Sequence, residues 1–255
     1  MPGSPARSPV AIRSPNPAAC MRLFCFPYAG AGAGAYREWP TLLPKDIEVA
    51  AVQLPGREWR IQESAMSDMA ALAADALISI RPYLDKPFAF LGTSMGGTLI
   101  FELARLLRAE DGPLPVCLMP LAIGAPHIPE EKLFHDLPDA ELLQEISEFG
   151  VLSEEVTAHP ELLELLLPVL RADCTAHETY VYKEEPPFDF PIWVYGGFGD
   201  ELVDKGRLEG WAIHTTSTCR VHMLPGGHLF VDEMPDMLIQ SMARRLYESL
   251  RLKSA

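Results

Sequence analysis

Six short apolar runs, separated by segments of helical periodicity, limit what this chain can fold into. They are RLFCF (22–26), IEVAAVQL (47–54), FAFLGT (88–93), VCLMPLAI (116–123), PIWVYGG (191–197) and CRVHML (219–224). Each is short for a helix, and most lack polar alternation, as strands buried on both faces do. Between them, MSDMAALAADALISIRPYL (66–84), MGGTLIFELARLLRAE (95–110) and MPDMLIQSMARRLYESLRL (234–252) have helical patterns. Strands alternating with helices predict a mostly parallel central sheet flanked by helices.

The alternation lapses once. Across 130–186 no strand run is found, while PDAELLQEISEFG, SEEVTAH and PELLELLLPVLRADCTAHETYVY are helical in pattern. An all-helical insertion between two strands would form a lid over one end of the sheet. Open α/β sheets bind ligands at the carboxyl ends of their strands, so a lid there would roof the site. The core is thus expected in two parts, 21–129 and 187–255, with the lid at 130–186 between them. Residues 1–20 read as a disordered leader. Their first nineteen residues carry five prolines, three serines and two arginines, with no continuous apolar segment of the kind a signal peptide needs.

Directly after FAFL comes Gly92-Thr93-Ser94-Met95-Gly96-Gly97. This is G-x-S-x-G between a strand and a helix, the setting of a nucleophile elbow in the α/β-hydrolase fold. Flanking glycines give the strand and helix room to approach, and the serine hydroxyl stands at the positive end of the helix dipole. The bland alternative is a serine that only caps the helix. A serine hydroxyl is a weak nucleophile at neutral pH, so the reading requires a base and an acid, in the chain order Ser, Asp or Glu, His. PIWVYGGFGDELVD supplies Asp200 just past a late strand. Glu201 and Asp204 compete, but Asp204 reads as a helix-start residue. RVHMLPGGHLFVDE supplies His228 after a Pro-Gly-Gly turn that can present the ring. His222 lies within a strand and His214 before it. His127, His135, His159 and His177 fall in or near the lid, where polar surface roles are commoner. None has zinc-ligand spacing.

The stretch FPYAGAGAGA contains G-x-G-x-x-A, a loose nucleotide fingerprint. Three features oppose that reading: PYA separates strand from glycines, the following strand ends in Gln53-Leu54 with no acidic residue for a ribose, and the chain already holds a serine-triad set. The loop instead suits the second donor of an oxyanion hole, the backbone N–H of Ala29, opposite the N–H of Met95 after the nucleophile.

Bulk properties close off other classes. The 255 residues carry a formal charge of −14, which argues against a nucleic-acid partner. No apolar run approaches membrane-spanning length. Five scattered cysteines form no C-x-x-C pair, so neither a metal site nor a disulfide framework is expected, and a reducing cytoplasm is the favoured location.

Taken together, CFPYAGAGAGAYREW, VQLPGREWR, FLGTSMGG, LLPVLRADCTAHETYVY and GGHLF resemble the type II, stand-alone thioesterases of polyketide and nonribosomal peptide biosynthesis. The resemblance runs from about residue 21 to 252. It implies an enzyme without a cofactor that hydrolyses acyl groups from the phosphopantetheine arm of acyl or peptidyl carrier proteins, clearing aberrant units. It carries the catalytic roles to Ser94, Asp200 and His228 and the oxyanion donors to Ala29 and Met95. Tyr28 stands where the family commonly has histidine, and Gly30-Ala31 where it has Gly-Gly. A medium-chain fatty-acyl thioesterase, a general carboxylesterase and a non-catalytic binding protein of the same fold are the alternatives.

Overall fold

The computed structural model describes residues 7–150, 152, 156, 159–233 and 235–254. Seven strands form one sheet: β1 (Val10–Ala11), β2 (Met21–Phe26), β3 (Ile47–Val52), β4 (Phe88–Thr93), β5 (Leu118–Leu121), β6 (Ile192–Gly197) and β7 (Cys219–Leu224). Their order is β1-β3-β2-β4-β5-β6-β7, and every adjacent pair is parallel except β1 with β3. Strands β2 to β6 are buried along their whole length, which is why their sequences are continuously apolar. Side chains still alternate between the two faces. Phe24, Phe26, Phe88 and Phe90 pack on one, against helices α1 (Met69–Ile80) and α2 (Met95–Ala109). Leu23, Cys25, Ala89, Leu91, Trp193 and Tyr195 pack on the other.

The insertion is helical among its described residues. It contains α3 (Asp139–Glu148) and α4 (Pro160–Glu178), between β5 and β6. Most of the SEEVTAH stretch lies outside the described residues. The lid has its own small core of Phe134, Leu142, Ile146, Leu152, Leu170 and Cys174, to which Ala29 and Leu202 add from core loops. Helix α5 (Pro235–Ser254) closes the chain and packs Leu238, Ile239, Met242 and Leu246 under the sheet. The α/β-hydrolase architecture expected from the sequence, with its lid, is the one observed.

Several boundaries differ by a residue or two, and two differ by more. The run 116–123 yields a strand of only four residues, because Ala122 turns into the left-handed region at φ 51° and ends β5. The leader is the larger correction. Residues 1–6 lie outside the described residues, but from Ser8 onward the stretch is seated on the core. Val10 and Ala11 pair antiparallel with Val52 and Ala51, and the Gln53 N–H donates to the Pro9 carbonyl at 2.8 Å. Trp59 Nε1 donates to the Ser8 carbonyl at 3.1 Å, and the Asn16 N–H to Glu48 Oε1 at 2.8 Å. The Pro- and Ser-rich composition argues for disorder, but β3 would otherwise be an open edge, and its unpaired backbone groups are satisfied by this segment.

Removing residues 1–17 should therefore destabilise without disabling. With several hydrogen bonds lost at about 1 kcal/mol each, the folded state is expected to weaken by roughly 2–4 kcal/mol. None of the described residues among them lines the cavity described below, so kcat should hold. Urea denaturation and steady-state rates on the truncated chain check both halves.

Candidate active site

The passage from β4 into α2 sets the site. Ser94 has φ 51° and ψ −123°, a region that L-residues rarely occupy. Its strain is tolerated because the neighbouring glycines clear the turn. A Cβ on Gly92 would collide with the Gly96 carbonyl, and one on Gly96 with the Phe26 carbonyl. The Ser94 N–H donates to the Leu121 carbonyl at 2.7 Å, fastening the elbow to β5. Although Ser94 precedes α2, its side chain makes no capping hydrogen bond. The hydroxyl points elsewhere.

It meets His228, whose Nε2 lies 3.0 Å from Ser94 Oγ. The opposite ring nitrogen, Nδ1, is 3.0 and 3.1 Å from the two oxygens of Asp200. An ionised carboxylate only accepts hydrogen bonds, so the ring proton resides on Nδ1 and Nε2 is left to accept from the serine. Asp200 is fully buried. Its Oδ1 also accepts from the N–H groups of Leu202 at 2.9 Å and Val203 at 3.1 Å, which wrap the loop after β6 around the carboxylate. Of its competitors, Asp204 caps a short helix (Lys205–Glu209) by accepting from the Arg207 N–H, and Glu201 faces the cavity. The parallel sheet explains the meeting: the ends of β4, β6 and β7 share one edge of the sheet.

The glycine-rich loop crosses the same edge. Gly30 has φ 80°, and the Ala31 N–H returns to the Tyr28 carbonyl at 3.0 Å. This is a turn over 28–31 with glycine at the third position, where a type II turn needs it. The next amides are held by side chains. Gly30 N–H donates to Asp173 Oδ2 at 2.8 Å, Ala33 N–H to Gln53 Oε1 at 3.0 Å, and Gly34 N–H to Glu58 Oε1 at 2.9 Å. Gln53 and Glu58 belong to the QLPGRE segment, and so does Arg57. Its guanidinium grips both oxygens of Asp173, at 2.5 and 2.8 Å, and also donates to the Ala31 carbonyl at 3.2 Å. The QLPGRE motif is thus a cradle for the glycine loop.

With this geometry in place, the comparisons with known proteins are decisive. Residues 21–246 match the family model described as the thioesterase domain. The chain belongs to the thioesterase family. It is 41% identical over 232 residues to the gramicidin S biosynthesis protein GrsT of Aneurinibacillus migulanus, covering 91% of each chain. Among solved structures it is similar to RedJ, a thioesterase from the prodiginine biosynthetic pathway of Streptomyces coelicolor, with a TM-score of 0.86 and 34% identity over 92% of this chain and 90% of that one. The type II thioesterase BorB from the borrelidin biosynthetic cluster superposes equally well, at 0.86 with 31% identity, covering 96% of this chain and all of BorB. The likeness to type II thioesterases read from the motifs is borne out.

In this thioesterase, Ser94, Met95, Ala29 and His228 all line one cavity of about 400 Å³ beneath the lid. Among the described residues no hydrogen-bond acceptor takes the N–H of Ala29 or of Met95. The lid contributes Phe134, Ile146, Phe149 and Cys174 to the wall. Burial, together with the nearby Glu178 and Asp173 carboxylates, pushes the Cys174 thiol far up, so it stays protonated. Tyr28 is raised to about 12 by burial and by the Asp232 carboxylate its hydroxyl contacts, and remains neutral in the wall.

Sequence reasoning placed His177 among polar surface residues, and the structure corrects this. It stands in the cavity wall, with Nδ1 3.2 Å from Thr98 Oγ1 and Nε2 3.3 Å from Glu130. Burial pulls Glu130 upward, but the His177 hydrogen bond and the Arg207 guanidinium beside it outweigh this and hold the carboxyl below its usual range. The other histidines are elsewhere. His214 is buried against His127, its Nε2 2.9 Å from His127 Nδ1, and burial brings it down to about 4. His222 stacks on Tyr195, His135 bonds Glu178, and His159 is exposed. Arg57, Asp173 and Glu130 also escaped the sequence reading. One signal was present for Asp173: it falls on the apolar stripe of α4 with Val169, Leu170, Cys174 and Ala176, and a carboxylate in such a stripe needs a buried cation.

The elbow leaves no space for a methyl group. Gly92→Ala is expected to cost about 3 kcal/mol, the upper end for overpacking, and to remove most turnover. A variant with an unchanged denaturation midpoint and full activity would show a looser elbow than these contacts imply.

Proposed function

We propose that this thioesterase hydrolyses acyl groups from the phosphopantetheine thiol of acyl or peptidyl carrier proteins, clearing aberrant units from a biosynthetic assembly line. The observation that carries the reading is the unbroken hydrogen-bonded chain Asp200–His228–Ser94 opening into a lidded cavity. Its kinship with GrsT, RedJ and BorB supports the carrier-bound substrate.

In the reaction, His228 Nε2 takes the Ser94 proton as Oγ attacks the thioester carbonyl. Asp200 fixes the ring tautomer and stabilises the imidazolium. The carbonyl oxygen becomes an oxyanion, and the N–H groups of Ala29 and Met95 receive it, aided by the N-terminus of α2. Collapse breaks the C–S bond, and the proton held on His228 Nε2 passes to the departing sulfur, which leaves as the pantetheine thiol and returns the ring to its neutral form. A thiolate leaves readily, so His228 has less work as acid here than it would with an alkoxide. Water, deprotonated by the same ring, then attacks the acyl-serine. The resulting oxyanion collapses, Ser94 recovers its proton from His228, and the acid is released.

The carrier must dock on a chain of net charge −14. Against a typically acidic carrier, long-range steering is poor, and weak, transient docking with a high KM follows. The five free cysteines, three of them buried, fit a reducing cytoplasm. Among the described residues no helix is long and apolar enough to cross a membrane.

One comparison tests the reading: one short acyl chain on a carrier protein, on coenzyme A and on a phenyl ester, with Ser94→Ala as blank. The carrier-bound thioester is expected to be preferred by at least about tenfold in kcat/KM. Ser94→Ala should lose about 10⁶-fold in kcat, as loss of a triad serine does elsewhere, while staying folded. Equal turnover of the free esters would replace the carrier reading with a general esterase. Persistent hydrolysis by the serine variant would refute the nucleophile.

A further inference from the structure

We propose that Asp173 is a positioning residue for thioester hydrolysis: clamped by Arg57, it fixes the turn over 28–31 so that the Ala29 N–H is aimed at the oxyanion, making the hole dependent on lid helix α4. The proposal rests on the reading of Ala29 as an oxyanion donor. It assigns work to two motifs, QLPGRE and LPVLRAD, that the hydrolase chemistry itself leaves without a role.

The argument starts from how the loop's amides are committed. Gly30, Ala31, Ala33 and Gly34 each donate to a fixed partner: Asp173, the Tyr28 carbonyl, Gln53 and Glu58. Ala29 donates to none among the described residues, and it lines the cavity with Ser94. Three of those four partners come from β3 or the loop just after it or from the turn itself. The fourth, Asp173, comes from the lid, 143 residues along the chain. It holds the peptide that directly follows Ala29. The peptides on both sides of Ala29 are therefore fixed, the one before it by the Ala31 N–H on the Tyr28 carbonyl and the one after it by the Asp173 oxygen 2.8 Å from the Gly30 N–H, so the Ala29 N–H cannot turn without breaking one of these bonds.

A structural role alone does not account for the pair. Asp173 is fully buried and Arg57 nearly so. Desolvating two charges offsets much of their attraction, and apolar replacements of such pairs are often as stable. What the pair supplies beyond stability is a rigid, charged acceptor at one amide. The Arg57 guanidinium holds that acceptor by both oxygens and reaches the Ala31 carbonyl as well, so both sides of the turn refer to one fixed group. Leu166 and Leu170 of the same helix close over Gly30, where a Cβ would lie 3.3–3.4 Å from their methyl groups.

The test uses the full chain, a short acyl-coenzyme A, and four proteins. In one, the apolar exchange Arg57→Met with Asp173→Leu removes the charges together; in another, Asp173→Asn keeps the shape. Two more replace single amides by esters, at Gly30 and at Ala29, deleting one N–H each. Asp173→Asn, the apolar pair and the Gly30 ester are expected to lower kcat by 10-fold to 100-fold with KM within about threefold. Affinity for a trifluoromethyl ketone analogue, whose adduct carries the oxyanion, should fall in parallel. The Gly30 ester leaves the ion pair intact, so it decides the matter even where the side-chain variants fail to fold. Wild-type kcat and inhibitor affinity in the Gly30 ester, or in a folded apolar pair, would overturn the proposal and leave Asp173 a purely structural residue. The Ala29 ester separates the two ideas. If it is slow and the Gly30 ester is not, the clamp falls and the oxyanion reading stands; if it keeps full activity, that reading falls and the clamp with it.

Discussion

A single residue held at φ 51° organises this enzyme. The strain at Ser94 is of the order of 1–3 kcal/mol and persists only because the surroundings leave the turn no alternative. Those surroundings are the sheet. β4 lies at its centre, between β2 and β5, and the Ser94 N–H is tied to the last residue of β5. Glycines at 92 and 96 are required by contact with backbone, not with adaptable side chains. The same parallel order delivers the loops after β6 and β7, and so Asp200 and His228, to the edge where the serine emerges. Burial of five strands on both faces supplies the rigidity that keeps three side chains from distant segments within hydrogen-bond reach.

The buried charges form a second level of order. Asp200 is satisfied by His228 and by two backbone amides of its own loop. Asp173 is satisfied by Arg57 and by a loop amide that belongs to another segment. Both carboxylates are completely removed from water, and each would be costly to leave unpaired. Their partners therefore cannot drift. One carboxylate holds the His228 ring, and the other ties the lid to the glycine loop. The polar groups on the cavity wall follow the same rule, Glu130 being held between His177 and Arg207.

Much of this was legible in the sequence, and the parts that were not share a cause. Buried parallel strands announce themselves by continuous apolar runs, so FAFLGT was bounded correctly and the elbow between FAFL and MGG followed; CRVHML has the same bounds in the structure, although β7 is only partly buried and carries Arg220 and His222. Asp200 and His228 could be picked because each stands in a turn just beyond a strand. The leader was misread because Pro and Ser content reports local preference, whereas Val10 and Ala11 are ordered by an unpaired edge 40 residues away in the chain. Arg57 and Asp173 were passed over because neither belongs to the chemistry of a serine hydrolase. Their meaning lies in a contact spanning 116 positions, which no local pattern encodes. His177 was assigned to the surface by its place in the lid; the structure turns that part of α4 inward.

Helix α4 itself is divided. Pro168 lies within it and cannot donate to the carbonyl four residues earlier, so the helix is weakest there. Before the proline the helix is poorly covered, with Leu165 58% exposed; after it, Val169, Leu170, Asp173, Cys174 and Ala176 are buried. Local opening costs least where few apolar contacts are broken, which places the outer half of the helix at the low end of the stability range. The Asp173 clamp sits on the inner half. An opening confined to residues before Pro168 would widen access for a pantetheine arm while leaving the turn over 28–31 held, whereas an opening of the whole helix would strip Gly30 of its acceptor. The position of the ion pair relative to the proline thus separates access to the cavity from the integrity of the loop beside Ser94.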